Sequence, residues 1–260
     1  MRVTTLGFAL TALFAAFASG QTSTPPDLVV RVFNFNQADT PQDIREMANT
    51  VRTVAGMNIA PDTAQGTVSL RGNADQVALA DWLLNQLDQP ASPSRETAEY
   101  DYQAAKPDTA VRVFRLAHTD TPQGFQEIGN ALRAVGDVSR VLVCSTPRAL
   151  VMRGTAGQAA LAEWLVDELD QPVGGTSSAA PDHDTAADEF QVPGTGQVAR
   201  VFHLAQTTTP QQLNDIANKI RTATQMSRTM PCFLHRVVAL RGTAAQIATA
   251  QQLIQEMKKP

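Results

Sequence analysis

Three segments of the chain change hydrophobic period in the same order. Val111-Arg112-Val113-Phe114-Arg115-Leu116 alternates apolar and polar positions, which predicts a half-buried strand. Thr121-Pro122 follows as an N-cap with proline at the first helical position. Phe125, Ile128 and Leu132 then recur at helical spacing. A second strand is predicted from Ser139 to Cys144, a turn at Ser145-Thr146-Pro147 and a third strand at Ala149-Leu150-Val151-Met152. Gly154 releases the chain, and Thr155 with Gln158 has capping-box spacing. Ala159, Ala162, Leu165 and Leu169 make the stripe of a last helix, which proline ends. The expected fold class is α+β: tandem βαββα modules, each a small three-stranded sheet with two helices on one face.

The other two segments keep the register. Arg31-Val32-Phe33, Arg112-Val113-Phe114 and Arg200-Val201-Phe202 open them, and Pro41, Pro122 and Pro210 lie eight residues after each Phe. Asn49 and Arg52 recur as Asn130 and Arg133, and again as Asn218 and Arg221. Arg71-Gly72, Arg153-Gly154 and Arg241-Gly242 precede closing prolines at 90, 172 and 260. Such self-similarity marks a repeat architecture. It gives units at 28–90, 109–172 and 198–260. The stretches 91–108 and 173–197 are polar, the second rich in Gly, Ser, Pro and Asp, and read as flexible linkers. A lone unit of 61 residues buries only about 60% of its unfolded surface, so contacts between units would supplement it.

Before the first unit, Arg2, the uncharged run Leu6 to Ala18 and the small residues Ala18 and Gly20 form the pattern of a signal peptide over 1–20. The run is too short to span a bilayer, and no later apolar stretch replaces it. The expected product is exported, periplasmic or secreted, with no integral membrane segment after signal removal.

Composition narrows the chemistry. Of 260 residues 43% are hydrophobic and 5% aromatic, and the formal charge is -4. That balance argues against a protein built to grip phosphate backbones, and the units lack the Gly-x-x-Gly loop of RNA-binding KH folds. No nucleic acid partner is expected. No HExxH, GxSxG, Walker A or paired-cysteine zinc motif appears, so no enzyme activity, cofactor or metal is expected. His183 lies among Asp182, Asp184, Asp188 and Glu189, a cluster read as an acidic solvated tether.

Cys144 and Cys232 occupy matching positions, four residues after Arg140 and Arg228. Separate buried thiols, a disulfide between units and pairing between chains all stay open. The recurrent Arg-Gly reads either as a structural turn or as a cationic row, the first being favoured. Trp82 and Trp164 share a position on the last helix, where the third unit has Gln252, and serve packing or partner contact. Tyr100 and Tyr102, in a stretch otherwise polar, are candidates for docking on a neighbouring unit or a partner, with local packing or disorder as the alternative.

The strand-Thr-Pro-helix opening, the Arg-Gly-Thr turn and the endings Leu87-Asp88-Gln89-Pro90 and Leu169-Asp170-Gln171-Pro172 resemble the periplasmic N-domain repeats of secretins. The resemblance implies KH-like or NolW-like βαββα modules of the kind found in type II and III secretion and type IV pilus channels. In that family the modules pack side by side in periplasmic rings and bind other secretion components. No barrel sequence follows Pro260, so a channel is not expected. The expected function is a non-enzymatic protein-protein interaction module, accessory to secretion or pilus assembly. Its expected partner is an envelope or secretion-system protein, or another copy of the chain. The alternative is a module that binds cell-envelope polysaccharide or peptidoglycan.

Overall fold

The computed structural model describes residues 28–90, 92, 94–102, 107–171, 189–204 and 209–258. The expected leader at 1–20 and the cluster around His183 lie outside them, except Glu189.

The first unit runs β1 (Val29–Asn34), α1 (Pro41–Ala55), β2 (Asn58–Asp62), β3 (Thr67–Gly72) and α2 (Ala74–Leu87). Its strands form an antiparallel sheet in the order β1-β3-β2. The second runs β4 (Glu96–Asp101), β5 (Ala110–Arg115), α3 (Pro122–Ala134), β6 (Arg140–Cys144), β7 (Ala149–Gly154) and α4 (Ala156–Leu169). The third runs β8 (Glu189–Val192), β9 (Gln197–His203), α5 (Pro210–Thr224), β10 (Arg228–Cys232), β11 (Val237–Gly242) and α6 (Ala244–Lys258).

Two expectations need correction. The second and third sheets have four strands, in the orders β4-β5-β7-β6 and β10-β11-β9-β8. The added strands β4 and β8 come from stretches that read as flexible linkers. Their residues are mostly polar because each lies at a sheet edge, and pairing with β5 or β9 supplies the strand character that local composition lacks.

The helix signals act as their spacing predicts. Thr40, Thr121 and Thr209 each accept a backbone N–H three residues on, with proline at the next position. Asn73, Thr155 and Thr209 complete full capping boxes with Gln76, Gln158 and Gln212. Pro61 and Pro231 fall in β2 and β10, which are edge strands, where a missing N–H is tolerated.

Other repeated residues are struts within each unit. Arg52 bonds Asn49 Oδ1 at 2.5 Å and Ile59 O at 2.8 Å, tying the first helix to the second strand. Arg133 and Arg221 repeat this with Val141 O at 2.6 Å and Thr229 O at 2.8 Å. Asp88 accepts the N–H groups of Asn36, Gln37 and Ala38. Asp170, fully buried, does the same for Ala117, His118 and Thr119 and also accepts the Thr119 hydroxyl. A carboxylate thus fastens the end of the last helix to the loop leaving the first strand.

Asp170→Asn removes the charge that these donors share and turns an amide toward them. It should destabilise the protein by about 2 kcal/mol in chemical denaturation. Asp101→Asn, at a side chain 86% exposed, should stay within about 0.5 kcal/mol.

Candidate functional site

The alternation of β5 sends side chains to opposite faces of the second sheet. Phe114 joins Leu150 and Met152 under the unit's own helices. Val111 and Val113 face the other way with Cys144, Ala149 and Val151, and these join Met47, Val51 and Val54 of the first unit. The second face is therefore covered by α1, which packs on β6 and β7 as well as on its own sheet. Polar contacts set the register of this cover. Glu46 accepts the Ser145 N–H at 2.9 Å, and the Asp43 carboxylate accepts the Thr146 hydroxyl. Thr50 Oγ1 lies 3.1 Å from Cys144 Sγ. Arg153, from the Arg-Gly pair, donates to Val54 O at 2.7 Å, a carbonyl near the end of α1.

The same arrangement recurs one step on. Val192, Ala199, Val201, Cys232, Val237 and Ala239 of the third sheet join the core under α3. Glu127, at the place of Glu46, accepts the Leu234 N–H at 3.0 Å, and Arg241 donates to Val135 O at 3.3 Å. Burial raises the Glu127 pKa above its ordinary value. Arg228 pairs with Asp137 across the junction at 2.6 Å. For Arg153 and Arg241 the Arg-Gly pair is thus a brace between units.

The singled-out aromatic residues meet within the chain. Trp82 on α2 lies 5.1 Å from Tyr100 on β4, centroid to centroid. Tyr102 is buried beneath the Arg153 guanidinium, 4.3 Å from its ring. Trp164 on α4 lies 5.8 Å from Phe190 on β8, a residue that sequence reasoning missed. A signal for it exists: Glu189-Phe190 precedes the third Arg-Val-Phe as Glu99-Tyr100 precedes the second. The unequal distance to that motif hid the match. Cys144 and Cys232 are free thiols in different cores, and burial pushes each up to about 12. The expected alternative of a disulfide between them is not what the structure contains.

The first sheet differs from the other two. Val30 and Val32, at the places of Val111 and Val113, are 64% and 56% exposed, against 0% and 1% for the buried pair. Leu28 beside them is 54% exposed. Asp62 stands where the later units have cysteine, and it accepts the Ala64 and Gln65 N–H groups of its own turn. Ser69 stands in place of Val151, and Arg71 is exposed. At the other end, Gln212, Asp215, Lys219 and Thr222 form an exposed polar face on α5, and Gln252 is exposed at the tryptophan position.

Two shallow clefts lie among the described residues, one lined by Gln86, Glu96, Thr97 and Arg115 and the other by Arg52, Arg71, Asn73 and Gln76. Among the described residues no three acidic, histidine or cysteine side chains gather as a metal site. Nor is any described helix long and apolar enough to cross a membrane. His235 is held toward its neutral form by burial, and His203 Nε2 lies 3.7 Å from Glu168.

Similar solved structures are secretin chains. The N-terminal domain of the secretin XcpQ from Pseudomonas aeruginosa is 17% identical, over 57% of this chain and 64% of its own, with a TM-score of 0.24. Aeromonas hydrophila ExeD is 13% identical over 90% of this chain and 41% of its own, with a TM-score of 0.21. A chain of the ETEC pilotin-secretin AspS-GspD complex is 13% identical over 91% of this chain and 39% of its own, with a TM-score of 0.22. In each case this chain spans less than two thirds of the other's length. No protein-family model and no curated protein matches the chain.

Matched substitutions separate the covered face from the open one. Val113→Asp should cost about 3 kcal/mol or more, because it buries a lone charge between two units. Val32→Asp should stay within about 0.5 kcal/mol, and equal losses would contradict the difference in cover. Thiol alkylation gives a second test. Both cysteines should react only after unfolding, and rapid labelling of the folded chain would show that the junctions open.

Proposed function

We propose that this chain is an exported, non-enzymatic scaffold for protein-protein contacts, made of three tandem modules of the secretin N-domain type and accessory to secretion or pilus assembly. The single observation that carries the reading is the open face of the first sheet. The same face is used twice within the chain to receive another unit, and here its Val30 and Val32 meet solvent. Repeated motifs and the βαββα order of elements support the module type. The leader-like sequence at 1–20 supports export. The arginines that recur as Arg52, Arg133 and Arg221 are struts within their units, and Arg153 and Arg241 are braces between units, which supports a scaffold rather than a catalyst.

A photocrosslinking residue at position 32, in cells that make the protein at its native level, tests this reading. The expected result is a discrete adduct with an envelope protein, absent when the crosslinker sits at position 64, exposed in the turn after Asp62. Equal, diffuse labelling at both positions would count against a dedicated surface.

A further inference from the structure

The strand that carries Arg-Val-Phe has neighbours on both edges in the second and third units. β4 sets Glu99 opposite Arg112, with Ala98 opposite Val113 and Tyr100 opposite Val111. β8 sets Glu189 opposite Arg200 and Phe190 opposite Ala199. Each arginine is held from two sides. Arg112 reaches Glu99 at 3.1 Å on the added strand and Glu163 at 2.7 Å on its own helix. Arg200 reaches Glu189 at 2.8 Å and Gln251 at 2.9 Å.

Arg31 keeps the helix half of this arrangement, with Asp81 at 3.2 Å. Its side chain is nevertheless 56% exposed, against 12% for Arg112. Among the described residues no strand lies on the outer edge of β1. The direction of the backbone groups follows from one bond. Phe35 donates its N–H to Gly66 O, on the β3 side, at 3.0 Å. By the two-residue alternation of a strand, Val30 and Val32 turn their N–H and C=O groups to the open edge. Arg31 then sits at a position without backbone bonds to an added strand, where opposed side chains approach most closely.

We propose that the edge of β1 receives an extended segment of a partner protein, with a carboxylate opposite Arg31 and apolar or aromatic residues on either side of it. The backbone of Val30 and Val32 supplies the ladder, and their side chains lie beside the flanking apolar residues. The occupant's chemistry is that of Ala98-Glu99-Tyr100, which the same chain uses on the equivalent edge. A second copy's β1 would bring an arginine to this edge instead of a carboxylate. The proposal rests on the scaffold reading and specifies its mode, strand addition.

A synthetic peptide of residues 94–102 is the probe, added to the full chain while amide hydrogen exchange is read residue by residue. Val30 and Val32 should gain protection. Arg31→Glu should weaken peptide binding about fivefold, the scale of a cross-strand ion pair. A peptide with Glu99→Arg should favour that variant over the original chain. The variant's urea midpoint checks that it folds, and binding of the two peptides to the unaltered chain gives a comparison independent of it. Protection confined to Val111 and Val113, or indifference to both charge changes, would overturn the proposal. So would Val30 and Val32 amides already protected without peptide, whether at all concentrations (a segment of the chain itself) or only at high ones (a second copy). Any of these results leaves the crosslinking test at position 32 standing. Conversely, peptide binding with no envelope adduct would count against the cellular role and not the strand edge.

Discussion

A small sheet has two faces, and each unit of this chain has helices for only one of them. The structure meets that constraint by sharing. The first helix of a unit covers its own sheet and also the far face of the next, so Val111, Val113 and Val151 share a core with Met47 and Val54. Without that cover these side chains would meet water at about 1.5 to 3 kcal/mol for each large apolar residue exposed. The braces follow from the same geometry. An arginine at the end of the third strand reaches the carbonyls that finish the preceding helix, and an acidic residue on that helix takes an N–H of the following hairpin.

The ends of the series are chemically different from its middle. Cysteine gives way to Asp62 and valine to Ser69 on the first sheet, while α5 presents Lys219 where α1 has Thr50 and α3 has Ala131. Polar outer faces are what keep the last members of a stack in solution. The first sheet follows this rule only in part, because Leu28, Val30 and Val32 remain apolar. That exception is the observation on which the proposed contact surface rests.

Much of this was legible from residue order. Helix starts at Pro41, Pro122 and Pro210, hairpins and closing stripes fall where period and capping chemistry placed them. What could not be read is what depends on distant pairing. Glu96–Asp101 has no strong strand signal and becomes a strand because β5 offers it an edge. Cys144 matched Cys232 in register, but its neighbour Thr50 lies 94 residues away in another unit. Tyr100 and Trp82 stand out singly in the sequence, and only the fold sets one against the other.

The shared cover also has a direction in time. A chain emerges from its amino-terminal end, and α1 precedes the sheet it must meet. The flank bearing Glu46 and Thr50 finds its counterpart only when residues as far as Cys144 and Ser145 have appeared. The first and second units are thus each left unfinished by their own sequence and completed by the unit that follows. Folding that follows the order of synthesis would proceed with one unit waiting for the next.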